Sequence, residues 1–336
     1  MTKPDVSIIV AVYNAEDYIG RCLESLTAQT YKNIEIICVN DASTDHSQQI
    51  IDSYMQKDER ILSVVHQQNM NAGGAMNDGI KTAKGEYVCI VDNDDWIEYN
   101  AIEELLNESE GFKYDIVTCD WYALNDEKNK KWHKNLTDSP NKVTIIQEAL
   151  INGYRLLGSL IRRSIFVDNT LFFPEKVFYE DNAIGLCILF YAKTIKPVHK
   201  PLYFYYLSEN SVTRSVSMKK VVDRIYTTDM FLTNLTQRGF VNEHNIKLIN
   251  YTYLCFTHHT ILMLANIGTD EARMQIGRIE TCTREMMPND YITKYKPNFV
   301  YVLNHPYRAY LLYKVLYIIK RMIPQYIITK IKTYGR

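Results

Sequence analysis

Short apolar runs rich in β-branched residues alternate with helical patterns through the first third of the chain. VSIIVAV (6–12) precedes a helical stretch over 17–29, IEIICVN (34–40) one over 45–57, and ILSVV (61–65) one over 72–84; EYVCIV (86–91) follows. Strand and helix in regular turn argue for a parallel sheet covered by helices on both faces, an α/β fold. DIVTCDWYAL (115–124) reads as a further strand, and the polar, aperiodic segment 125–141 as a surface loop or hairpin. After Pro174 an apolar helical pattern opens on Glu180-Asp181, and beyond about residue 216 the periodicity is helical and Tyr-rich. These patterns divide the chain into an α/β domain over 1–215 and a helical C-terminal region over 216–336.

In sheets of this kind ligands bind at the carboxyl ends of the strands. Here those ends carry Tyr13-Asn14, Asn40-Asp41 and Asp92-Asn93-Asp94. The last belongs to CIVDNDDW (89–96), where an apolar run ends in three carboxylates and an amide. Carboxylates so close repel one another, and a plain turn needs one Asp or Asn. A hard divalent cation would resolve the repulsion, since it takes oxygen ligands and offsets charge on a diphosphate leaving group. The competing reading is an Asx-rich turn capping a helix that begins near Trp96. No G-x-G-x-x-G follows the first strand and no G-x-x-x-x-G-K-[ST] occurs, so any phosphates fall to a metal or to loops.

Composition narrows the setting. At 336 residues, 46% hydrophobic and 23% charged, the chain suits one large α/β domain with an extension, or two domains. Its net charge of −1 hides an asymmetry: nine of the 38 basic residues lie beyond Asp290 and no acid does, leaving 29 basic against 39 acidic residues over 1–290. Seven cysteines without CxxC or Cys/His metal spacing read as free thiols in a reducing compartment. The N-terminal stretch MTKPDVSIIVAVYN is not read as a signal peptide and no apolar run reaches the length of a membrane span, so a cytoplasmic location is expected.

The order VSIIVAVYNAEDYIGRCLESLTAQTYKNIEIICVNDASTDHS, GEYVCIVDNDDW, FYEDNAIG and PLYFYYLSENSVTRS resembles the family-2 inverting glycosyltransferases of GT-A fold, over roughly residues 5–215. The resemblance implies a Rossmann-like, mostly parallel sheet flanked by helices, a UDP-sugar donor and a Mn²⁺ or Mg²⁺ ion. Asp41 matches the carboxylate that accepts the uracil N3–H, Tyr13 an aromatic that packs on the base, and Ala11 lies beside it. Asp92 and Asp94 match the DxD motif, with Asp92 directed to the ribose or a metal-bound water and Asp94 to the metal. Asn93 is a supporting position; Asp95 either supports the motif or caps the following helix. The Glu-Asp pair maps onto Glu180 and Asp181, with Asp181 as general base and Glu180 in acceptor binding. A helix start favoured by its dipole is the structural alternative and is compatible with that role. Arg214 is a candidate for the diphosphate. The chain departs from the family at Asp41-Ala42-Ser43, where DGS is common, at Ala75-Met76-Asn77, where Ala-Arg-Asn is common, and in LLGSLIRRS, which lacks a usual Trp and Lys.

In the tail, a helical wheel over 307–322 gathers Leu311, Leu312, Val315, Leu316, Ile318, Ile319 and Met322 on one face, opposite Lys314, Lys320, Arg321 and three tyrosines. A basic amphipathic helix suits an anionic membrane surface, so peripheral contact through 307–336 is one expectation; packing on protein, including a second copy in a homo-oligomer, is the other. The expected partners are a UDP-sugar and a glycan or lipid-linked acceptor in bacterial surface-polysaccharide assembly, with no nucleic acid. Two further classes compete: a non-catalytic nucleotide- or membrane-binding scaffold on this fold, and a nucleotidyltransferase. The latter needs a Gly-rich, Lys/Arg-bearing loop where this chain has YNAED.

Overall fold

The computed structural model describes residues 3–125, 130–207 and 216–267, with scattered positions up to 279. Arg214 and the 307–336 tail lie outside the described residues. The α/β domain begins with β1 (Val6–Val12), α1 (Ile19–Thr27), β2 (Ile34–Asn40), α2 (Ser47–Met55), β3 (Ile61–Val65), α3 (Asn71–Thr82) and β4 (Tyr87–Ile90). β1 pairs in parallel with both β2 and β4, and β2 with β3. Every residue of β2 is buried, as a strand covered on both faces requires. The period of two then sorts the side chains. Ile8, Val10, Ile36 and Cys38 join α1 and α2 in one cluster, while Ile9, Ile37 and Val39 join α3 in another.

The rest of the sheet is mixed. β5 (Trp96–Ile97), α4 (Ala101–Glu108), β6 (Ile116–Leu124), β7 (Lys131–His133), α5 (Lys142–Asn152), β8 (Leu160–Arg162), α6 (Arg163–Val167), α7 (Glu180–Tyr191) and β9 (Ile195–Tyr206) follow. The strand order is β3-β2-β1-β4-β8-β6-β9-β5, with β7 paired to β6. β8 runs antiparallel to β4 and β6, and β5 antiparallel to β9. The polar 125–141 segment thus contains the outer strand of a hairpin on β6. The residues after Trp96 form a short strand rather than a helix, and the helix starts at Ala101.

α7 is buried from Ala183 through Leu189, apolar all round because it is packed between layers. Two long helices, α8 (Met218–Gln237) and α9 (Ile246–Ile267), add Phe231, Leu235 and Ile249 to the same core cluster as α3, α5 and α7. α8 also anchors the loop before α7. Asp223 accepts from Phe178 N at 3.1 Å and from Lys219 Nζ at 2.6 Å, and Lys219 Nζ donates to Lys176 O. No helix among the described residues is long and apolar enough to cross a membrane.

Candidate active site

Four parallel strands deliver their carboxyl ends to one edge. Beyond β2, Asp41 is 2% exposed; its Oδ1 accepts from Met70 N at 2.8 Å and lies 2.8 Å from His66 Nδ1. Its Oδ2 is buried without a hydrogen-bond partner among the described residues. A buried carboxylate oxygen left this way is costly unless a ligand donates to it. His66 stands just past β3, and its Nε2 lies 3.2 Å from Asp78 Oδ2 without the alignment of a hydrogen bond. Tyr13 stands just past β1 and is 48% exposed, so it is not core packing; its ring is free to meet a planar ligand. Ala11 is half-buried, and its carbonyl accepts from Asn93 Nδ2 at 2.7 Å. Asn93 therefore spends its amide fastening the β4 loop to β1.

Asp92, Asp94 and Asp95 each place a carboxylate oxygen within 4.8 Å of the others. Burial and the Asp94 charge push the Asp92 carboxyl up to about 7, against the pull of Arg155. Burial also raises Asp94, against the Arg21 guanidinium. Arg21 lies over the Trp96 ring at 4.0 Å and the Tyr206 ring at 4.4 Å, and its Nη2 donates to Asp94 O at 2.7 Å. Asp95 differs from its neighbours. It is fully buried and accepts from the Tyr203 hydroxyl and from Tyr206 N at 2.7 Å. It caps no helix; it ties the loop to β9, while Asp92 and Asp94 keep oxygens available for a cation. The donor set is oxygen-only, half-buried and crowded with negative charge, which fits Mn²⁺ or Mg²⁺.

Glu180 and Asp181 open α7. The residue before them, Tyr179, sits at φ +62°, an unfavourable region for a bulky side chain, under the Arg224 guanidinium 4.7 Å from its ring. Gly73 of α3 packs so closely on Pro174 that an added Cβ would stand 2.2 Å from its carbonyl oxygen. Burial, then the charges of Asp181 and Asp92, push Glu180 up to about 8. Asp181 is exposed, with Oδ1 accepting from Asn182 N at 2.9 Å.

Both acids line a cavity of about 420 Å³ together with Asp92, Met76, Trp121, His133 and Arg155. Tyr13, Asp41 and Asp94 lie outside its lining, and Asp92 is the member of the strand-end group that reaches it. The structure thus brings Asp92, Glu180 and Asp181 to one cavity and leaves Tyr13 and Asp41 at the neighbouring strand ends. Arg155, Trp121 and Tyr203 escaped the sequence reading. Tyr203 could have been found, because it lies in the PLYFYY motif; Arg155 carries no local signal.

The family model described as "Glycosyl transferase family 2" matches residues 7–173. The putative glycosyltransferase EpsH of Bacillus subtilis is 33% identical over 282 residues, covering 81% of this chain and 80% of that one. The chain belongs to glycosyl transferase family 2. The glycosyltransferase GlyA of Streptococcus pneumoniae is 30% identical over 72% of this chain, which spans only 36% of that longer protein. Among solved structures, S. aureus TarS 1–349 in complex with UDP-GlcNAc superimposes with a TM-score of 0.74 at 18% identity, covering 92% of this chain and 89% of that one. The mannosyltransferase PcManGT from Pyrobaculum calidifontis, in complex with GDP-Man and Mn²⁺, aligns with a TM-score of 0.52 at 13% identity. These likenesses establish the GT-A fold, and the protein is a glycosyltransferase.

Two departures from the usual family pattern acquire structural meaning. Ala42, where glycine is common, has φ +61°. Met76, where arginine is common, is a buried side chain on the cavity wall.

Proposed function

We propose that this glycosyltransferase moves a sugar from a UDP-sugar to a hydroxyl of a glycan or lipid-linked glycan, with inversion and with a divalent cation, in bacterial surface-polysaccharide assembly. The observation that carries the proposal is that Asp92, which clusters with Asp94 at the ligand edge, lines one cavity with Glu180 and Asp181. The named relatives and the UDP-GlcNAc complex of TarS support the donor class and the pathway.

On this reading Asp41 Oδ2 accepts the uracil N3–H and Tyr13 covers the base, beside the Ala11 and Asn93 contact. Asp94 and Asp92 hold Mn²⁺ or Mg²⁺, which when bound offsets the charge on the diphosphate. The acceptor hydroxyl gives its proton to the Asp181 carboxylate as its oxygen attacks the anomeric carbon. The bond from that carbon to the phosphate oxygen breaks, and UDP departs with the electron pair. Glu180, held protonated near neutral pH by its surroundings, donates a hydrogen bond to the acceptor. Arg214 covers the remaining phosphate charge.

Calorimetric titration of UDP-, dTDP- and GDP-sugars, with Mn²⁺ and then with EDTA, tests the donor half. Metal-dependent binding of one UDP-sugar is the expected result. Absence of nucleotide binding in both conditions would favour a non-catalytic scaffold on this fold.

A further inference from the structure

The Arg155 guanidinium sits in the corner of two perpendicular rings, 4.4 Å from the Trp121 centroid and 4.1 Å from that of Tyr205. Its backbone is equally fixed: Arg155 N donates to Asn135 Oδ1 at 3.0 Å, and Arg155 O accepts from Asn135 Nδ2 at 2.8 Å. Asn135 in turn is bonded through its own N to Asp120 and through Nδ2 to Thr118, both on β6. Yet the guanidinium makes no hydrogen bond or salt bridge to any described residue. Aromatic faces orient a guanidinium while leaving its edge donors free, so this is a rigid cation prepared for a planar or tetrahedral oxyanion.

The surroundings favour the acceptor over the donor. Arg155 lines the cavity shared by Asp92, Glu180 and Asp181, and the nucleotide-side residues Tyr13, Asp41 and Asp94 do not line it. Lys134 and His133 stand on the same lining, the latter stacked on Trp121 at 4.1 Å, while Met76 brings no charge. Asn182 is also on the lining, and its Nδ2 is buried without a hydrogen-bond partner among the described residues. Sugar hydroxyls could accept from Arg155 singly, whereas a phosphate or carboxylate would take two parallel donors and pair its charge.

We propose that the acceptor of this enzyme is anionic, carrying a phosphate or carboxylate that docks on Arg155 in the cavity that Asp92 lines. The assignment rests on the donor and catalytic roles given above. The oxyanion docks on Arg155, with His133 and Lys134 on the same lining and the reacting hydroxyl towards Asp181.

The test uses the whole chain saturated with UDP and Mg²⁺, so that phosphate probes cannot occupy the nucleotide side. Calorimetry compares glycerol phosphate with glycerol, and methyl glucuronide with methyl glucoside, on wild type, Arg155→Met and Arg155→Lys. At least one anionic probe should bind about ten-fold or more tighter than its neutral partner, the scale of one charge-assisted contact. The winning pair tells phosphate from carboxylate. Arg155→Met should abolish the preference, Arg155→Lys should keep part of it, and UDP affinity should stay the same in both, which also reports that the variants fold. Equal binding of anionic and neutral probes by the wild type overturns the proposal, as does a preference that survives in Arg155→Met. An equal loss of UDP affinity in Arg155→Met moves the residue to the donor diphosphate and overturns it too. Should UDP fail to bind the wild type, the donor reading falls, and the same comparison without UDP still decides the fate of Arg155.

Discussion

Asp41 and Asp94 each stand within a few residues of the strand that carries them, β2 and β4 on either side of β1, whereas the cavity that Asp92 lines is gathered from across the chain. Its wall takes Trp121 from β6, His133 from β7, Arg155 from the loop after α5, and Glu180 and Asp181 from α7. On the proposed nucleotide side the strand ends are tied directly to one another and to the next loop, Asn93 to the Ala11 carbonyl and Met70 N to Asp41. The cavity side depends on helices packing behind it, with α8 pinning the loop that leads into Glu180. A shared handle for the donor can stay constant on strand ends while the recognition of the acceptor varies with what packs beyond them. The prediction is a kinetic division: changes on the first side alter donor binding, and changes on the second alter turnover.

Asp94→Asn should break the site most severely. Removing one carboxylate from the cation site should lower kcat/KM by about 10³-fold or more, since charge stabilisation at a leaving group carries much of the rate. UDP-sugar titrations should lose their response to Mn²⁺. Persistent metal-dependent binding would remove Asp94 from the cation site.

Asp181→Asn sharpens the division from the other side. Loss of a general base should lower kcat by about 10²–10⁴-fold and leave the UDP-sugar Kd unchanged. Glu180→Gln should cost less, because a protonated carboxyl and an amide both donate a hydrogen bond. If Glu180→Gln proves the more damaging, the roles of the two acids are exchanged.

How far the sequence carried the reading follows the same line. β1 to β4, with Asp41 and the 92–95 cluster, were legible because each strand is a short apolar run, and β1, β2 and β4 end in polar candidate residues; His66, just past β3, gave no such signal. β8 and β9 were not legible as strands. β8 has three residues, and β9 contains Pro197 and Pro201, which break a strand pattern and coincide with a shifted register against β6. Asp95 read locally as a helix cap, whereas its partners, Tyr203 and Tyr206, lie more than a hundred residues away. Arg155 in NGYRLL is an ordinary surface-type arginine until β6 and β9 bring Trp121 and Tyr205 against it.

Proton linkage gives a test that needs no substrate. Asp92 rises from 3.8 to about 7 and Glu180 from 4.5 to about 8, so the folded state binds more protons than the unfolded one across that interval. Stability of the metal-free protein should therefore fall as pH rises from 5 to 8. The midpoint of thermal unfolding should drop by roughly a few °C, and Glu180→Gln should flatten the slope. Mn²⁺ should restore more stability at pH 8 than at pH 5, because the cation binds the deprotonated form. A slope of the opposite sign would mean that these acids are not strained by their neighbours.

His66→Gln probes the support behind Asp41. Loss of the imidazole contact at 2.8 Å should weaken UDP binding by about ten-fold or less, with kcat at saturating donor unchanged. A fall in kcat with unchanged donor affinity would contradict the division between the two sides.

Ala42→Gly should have the smallest effect and the opposite sign. The residue follows the buried Asp41 and stands at φ +61°, a region where a Cβ costs about 1 kcal/mol and glycine nothing. The unfolded chain gains freedom with glycine, which offsets part of that relief. The expected outcome is therefore a gain in stability of up to about 1 kcal/mol in urea unfolding, with donor affinity unchanged because Asp41 N remains bonded to Val12 O at 2.8 Å. Should Ala42→Gly instead weaken UDP binding, the strained alanine is holding Asp41 in place, and the nucleotide side owes its rigidity to backbone strain as well as to hydrogen bonds.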